Sequence, residues 1–123
     1  MSDDAYLLDT NVLIDYLDGS IPAENHRIDA IFRDGFVISV ITKIEFLGWS
    51  GFLDSQDESA SAHDFISHAH VVPLLDEIAN RVIELRQRHT IPLADGVIAA
   101  TALHREATLV TRNISDFESI PSL

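Results

Sequence analysis

The chain has 123 residues, 46% of them apolar, which suits one domain over residues 1–123 with a single core. It has no cysteine, so disulfides, thiol nucleophiles and cysteine-ligated zinc are excluded. Twenty acidic against eight basic residues give a net charge of −12, the reverse of the basic face that usually grips phosphate. No apolar run approaches the roughly 20 residues needed to cross a membrane. The acidic start, Met1-Ser2-Asp3-Asp4, is unlike a secretory signal. Both observations fit a cytoplasmic protein.

In chain order, Ala5-Tyr6-Leu7-Leu8 reads as a buried strand. Residues 10–17 read as a helix with Val12, Leu13, Tyr16 and Leu17 on one stripe. Residues 23–33 give a second helix through Ile28, Ile31 and Phe32. Phe36-Val37-Ile38-Ser39 is the next strand, followed almost directly by a helix over residues 41–49. A weaker, polar helix over residues 57–68 leads to a third strand, Val71-Val72-Pro73-Leu74. Residues 76–89 form a stronger helix, with Ile78, Val82 and Leu85 inward and Arg81, Arg86 and Arg88 outward. Pro92 suits the start of a last helix over residues 93–105, where Ala99, Ala100 and Ala102 allow close packing. Thr108-Leu109-Val110-Thr111 is the fourth strand. Strands alternating with helices across short connections define an α/β fold, a central parallel sheet of four or five strands with helices on both faces. Ligands of such sheets bind beyond the carboxyl ends of the strands.

Four carboxylates fall where that rule directs attention. Asp9 follows the first strand directly; it is also well placed to cap the next helix. Glu45 lies within Ile44-Glu45-Phe46-Leu47, on the helical face of Ile41 and Gly48. That face is read as inward, so Glu45 needs a partner, because an unpaired buried charge is too costly; the other reading is a solvent-facing helical Glu. Asp95 sits in the first turn of the last helix, on the face of Ile98, Ala99 and Ala102. Complementing the helix dipole explains its position along the helix but not its inward direction. Asp116 follows the fourth strand in a run rich in turn formers, which would equally make it a turn or cap residue. With parallel strands, all four acids can meet at one edge. Carboxylates held close together repel unless a cation joins them. Oxygen ligands without His or Cys suit hard ions, here Mg²⁺ or Mn²⁺, which activate water in phosphodiester cleavage.

At this point the sequence resembles a known family. Leu8-Asp9-Thr10-Asn11-Val12-Leu13-Ile14, Thr42-Lys43-Ile44-Glu45-Phe46, the run over residues 93–102 around Asp95-Gly96, and the run over residues 109–117 containing Thr111-Arg112-Asn113 and Asp116 look like the four motifs of PIN domains. The likeness is greatest to VapC-type toxins of toxin–antitoxin systems. The blocks appear in the family's order and span nearly the whole chain. The resemblance implies a Mg²⁺- or Mn²⁺-dependent endoribonuclease. Asp9, Glu45 and Asp95 would form its acidic triad, with Asp116 as the fourth acid. Thr10, Asn11, Thr111 and Asn113 would support the acids or orient substrate. It further implies a homodimer and inhibition by a cognate antitoxin. Many relatives continue into a further edge strand, beyond the point where this sequence ends at Leu123.

Phosphate contact must come from few cations, and Arg112, close to Asp116, is the first candidate. Arg81, Arg86 and Arg88 read more readily as a solvated helix face. Metal ligation accounts for part of the acidic excess, and a basic antitoxin segment would answer the rest. The polar stretch over residues 54–64 reads as a solvated segment or a flap beside a partner groove. His63, His68 and His70 lack metal-ligand spacing. Two other functions are open to the sequence. One is a non-catalytic protein-binding module of the same fold. The other is a phosphoryl-accepting receiver domain, for which Lys43 is the only lysine available.

Overall fold

Tyr6–Leu8 (β1), Phe36–Ser39 (β2), Ala69–Val72 (β3) and Thr108–Val110 (β4) form one parallel sheet in the order β3-β2-β1-β4. The structure, a computed structural model, describes residues 6–21 and 26–123. The register pairs Leu7 with Val37 on one side and with Leu109 on the other. The helices are Thr10–Leu17 (α1), His26–Arg33 (α2), Val40–Leu47 (α3), Gln56–Ser67 (α4), Asp76–Arg88 (α5) and Leu93–His104 (α6).

Side chains alternate across a strand, and this alternation builds two cores from one sheet. Leu7, Val37, Val72 and Leu109 face α5 and α6, whose Ile78, Val82, Leu85, Val97, Ile98 and Ala102 fill that side. Leu8, Phe36, Ile38 and Val110 face α1 to α4, against Leu13, Phe32, Phe46 and Ile66. Each fully buried Leu or Ile contributes about 2 kcal/mol by leaving water. Gly96 lets α5 and α6 pack closely, since a Cβ there would stand 3.3 Å from Val82 Cγ1. Gly35, at φ +96°, makes the turn from α2 into β2 in a conformation other residues adopt poorly.

The chain steps from β1 to β2 to β3 in one direction, then crosses through α5 and α6 to β4 on the other side of β1. The order therefore reverses between β1 and β4, and a crevice opens beyond their carboxyl ends. The same order overturns the receiver-domain alternative, whose doubly wound sheet would read 2-1-3-4-5.

The third strand corrects the sequence reading. It begins at Ala69 and ends at Val72, with Ser39 opposite Val72. Pro73 has no N–H for the ladder, so the strand ends before it rather than running through it. Two short 3₁₀ turns, Ser50–Asp54 and Ile114–Asp116, were not expected. Ala5 of the first expected strand and residues 23–25 of the second expected helix lie outside the described residues. Among the described residues the sheet has four strands, and no helix is long and apolar enough to cross a membrane.

Candidate active site

Asp9 is the first residue beyond β1. Its N–H donates to the carbonyl of Val110 at 3.0 Å, which ties it to the end of β4. It caps α1 with its extended backbone, and its Oδ1 accepts from the Thr10 N–H at 2.8 Å. Its Oδ2 accepts from the Thr111 hydroxyl, also at 2.8 Å. Thr111 is in turn fixed by the Asn113 N–H, which donates to its Oγ1 at 3.0 Å. The capping role and the site role are thus held by one side chain. Asp9 is 6% exposed, and both its oxygens are oriented by the chain around it.

Glu45 departs from the expectation of an inward face. It is exposed, while Thr42, three residues earlier, is fully buried. Ser39 starts α3 at the carboxyl end of β2, its Oγ accepting from the Ile41 N–H. That start turns Thr42 into the core and Glu45 toward the rim. The Thr10 hydroxyl donates to Glu45 Oε1 at 2.6 Å and also lies 3.2 Å from Thr42 Oγ1. Glu45 is therefore partnered, although it is not buried.

Asp95, in the first turn of α6, is half-buried. Burial, followed by the charges of Asp9, Asp116 and Glu45, holds its carboxyl above its ordinary pKa. Four acids from four parts of the chain thus act on one region beyond the carboxyl ends of β1 and β4. Asp116 is exposed, at the end of the second 3₁₀ turn. Asn11 is exposed on the first turn of α1. Arg112 donates to Asp15 Oδ2 at 2.8 Å, an ion pair between the segment after β4 and α1, and its side chain is 49% exposed. Arg81, Arg86 and Arg88 are exposed along α5.

The donor set is all oxygen, which suits a hard divalent cation, and the mutual repulsion felt at Asp95 is what such a cation would relieve. Among the described residues, no three Asp, Glu or His side chains stand close enough to make a ready ligand set. The acids meet in charge rather than in a closed cage.

Beside Glu45 a groove of about 780 Å³ opens between α1, α3, the first 3₁₀ turn and α4. Ile14, Leu17, Phe46, Trp49, Phe52 and Ala62 line it, and Asp18, Glu45, Asp57 and Glu58 give it an acidic rim. Trp49 is 57% exposed and meets Phe52 edge-on at 5.1 Å between ring centroids. The stretch over residues 54–64 closes the 3₁₀ turn and then forms most of α4, with Asp57, Glu58, Ser61 and Ala62 facing the groove.

Three features went unassigned in the sequence. Thr42 had only a partial signal, a hydroxyl residue one helical turn before Glu45. The Asp15–Arg112 pair spans 97 positions and left no local trace. The groove was foreshadowed by Trp49 and Phe52 flanking Ser50-Gly51, too short a run to pack as a helix stripe.

The PIN domain family model matches residues 6–122. The chain belongs to the PIN domain family. A toxin–antitoxin complex from Klebsiella pneumoniae contains a chain 30% identical to it, covering 96% of this chain and 94% of that one at a TM-score of 0.74. A DNA-bound VapBC from Salmonella typhimurium gives 26% identity, 98% and 95% coverage and a TM-score of 0.81. VapBC2 from Rickettsia felis, bound to a promoter DNA fragment, gives 25% identity, 97% and 95% coverage and a TM-score of 0.80. These neighbours support the VapC-type character read from the four motifs. A comparison with curated protein sequences gives no match.

Proposed function

We propose that this PIN domain is the toxin of a toxin–antitoxin pair and a Mg²⁺- or Mn²⁺-dependent endoribonuclease that hydrolyses RNA phosphodiester bonds in the cytoplasm. The observation that carries this reading is the run of hydrogen bonds linking Thr111, Asp9, Thr10 and Glu45 beyond the carboxyl ends of the strands, with Asp95 near enough to feel the charges of Asp9, Asp116 and Glu45. The four acids would hold the ion, which supplies Lewis acidity for water activation and for charge developing on the phosphate. Thr111 and the Thr10 N–H keep Asp9 from turning away, and the Thr10 hydroxyl does the same for Glu45. Arg112, held by Asp15 and half-exposed, would meet an RNA phosphate.

The cognate antitoxin is the second part of the proposal. An apolar groove with an acidic rim suits an amphipathic segment with basic residues, and its reach to Glu45 would let that segment block the site. The homodimer implied by the resemblance belongs to the same proposal, and the mass in solution tests it. A non-catalytic module is the competing reading. It is favoured by the lack of a ready ligand set among the described residues, and it predicts neither ion binding nor cleavage. The deciding experiment is RNA cleavage by the purified protein with Mg²⁺ or Mn²⁺, abolished by chelation and restored by adding the ion back. Co-purification of a short basic-tailed protein encoded beside this gene tests the antitoxin.

A further inference from the structure

Thr42 has an unusual setting for a core residue. It is 0% exposed on the first turn of α3 and carries a hydroxyl, where Phe46, the other buried residue of that helix, is apolar. A buried hydroxyl without a partner is costly, and among the described residues the side-chain partner of Thr42 is the Thr10 hydroxyl, 3.2 Å away. Thr10 belongs to another element, at the start of α1, and is itself only 8% exposed. The two residues lie 32 positions apart and join the first turns of two helices that follow neighbouring strands.

A threonine hydroxyl has one proton. Thr10 gives its proton to Glu45 Oε1 at 2.6 Å, so the Thr42 hydroxyl supplies the one between the two threonines. The alternatives open to Thr10 are its own backbone or other nearby acceptors, which threonines at helix starts commonly take. A donor fixed in the core removes that choice. It holds Thr10 in the rotamer whose proton faces Glu45, and the effect is passed to a carboxylate that is itself exposed and otherwise free to move.

We propose that Thr42 is a positioning residue: its buried hydroxyl locks Thr10, and through Thr10 fixes the Glu45 carboxylate in place for a divalent cation. The inference rests on the reading of the four acids as a cation site. Thr42 touches neither ion nor RNA.

The test is Mn²⁺ binding by calorimetry on the full chain, for wild type, Thr42→Val, Thr42→Ser and Glu45→Gln, with thermal melts of each. Thr42→Val keeps the shape and removes the hydroxyl. It is expected to weaken Mn²⁺ binding about tenfold, the low end of what loss of support for a ligand costs, with little change in Tm. Thr42→Ser keeps the hydroxyl and is expected to bind within about twofold of wild type, a rescue that a packing role for the methyl group would not give. Adding Thr42→Val to Glu45→Gln is expected to cost nothing further, because the chain of bonds ends at Glu45. Wild-type affinity in Thr42→Val overturns the inference, as does an equal loss in Thr42→Ser. Should Thr42→Val unfold, Thr42→Ala carries the same expectation. Absence of Mn²⁺ binding in the wild type would overturn the cation-site reading and this inference with it, whereas tight wild-type binding with no effect at Thr42 would overturn the inference alone.

Discussion

The two faces of the sheet are packed on different terms. The face under α5 and α6 is closed by aliphatic side chains, from Leu7 and Ile78 to Ile98 and Ala102. The face under α1 to α4 mixes aliphatic side chains with a connected aromatic cluster. Tyr16 stacks on Phe32 at 3.9 Å, Phe36 on Phe65 at 5.1 Å, and Phe46 and Phe52 carry the cluster outward to Trp49. That second layer does not close. It runs out into the groove, where Leu17, Trp49 and Phe52 remain accessible beside four acids. The catalytic candidates sit at the seam, since Asp9 ends the strand whose Leu7 and Leu8 face the two sides. The comparison teaches a division: the aliphatic face is sealed by α5 and α6, whereas the face that carries the aromatic cluster leaves a groove open beside the site.

The strongest way to break that division is at Ile78, fully buried on the closed face. Ile78→Ala should cost about 3 kcal/mol, a fall in Tm on the order of 10 °C, with antitoxin affinity unchanged in the remaining folded protein. A fall in affinity would join the two faces. Trp49→Ala makes the opposite case. Titration with the antitoxin should show roughly 30-fold weaker binding, about 2 kcal/mol, and only a small change in Tm. Unchanged binding would move the partner off the groove.

The seam gives smaller effects. Thr111→Val removes one of two bonds that orient Asp9 and should lower RNA cleavage about tenfold, with Tm nearly unchanged. Asp95 gives a pH-dependent effect. Its carboxyl is raised in the fold by burial and by three acids, so the folded state holds its proton more tightly than the unfolded state. Stability from this group is present in acid and is lost as pH rises from the ordinary carboxylate range through the raised value. In chelator, Asp95→Asn should therefore melt a little higher than wild type near neutral pH, and the gap should close on acidification. Melting curves across that range check it, and an equal or lower Tm at neutral pH would argue against crowding of the acids.

Much of this arrangement was legible in the sequence. Helix α1 matches its expected bounds because its apolar stripe begins directly after a strand-ending Asp. The inward set on α5, Ile78, Val82 and Leu85, follows from period alone. What periodicity could not give was direction at a helix start. Glu45 shares a face with the half-buried Ile41, yet it projects to the rim where Thr10 reaches it. Contacts between distant segments were likewise hidden, since nothing local to Thr111 names Asp9 as its acceptor. The groove arises only when α1, α3 and α4 are assembled.

The central claim is that these carboxylates serve one ion-dependent reaction on RNA, and Asp9 is the residue on which it turns. RNA cleavage by purified wild type and Asp9→Asn in Mn²⁺, with the fold of each followed by circular dichroism, tests it most directly. The account predicts a folded variant with cleavage reduced at least about a hundredfold, beyond the loss expected from a supporting residue. A folded Asp9→Asn protein with full activity would contradict it.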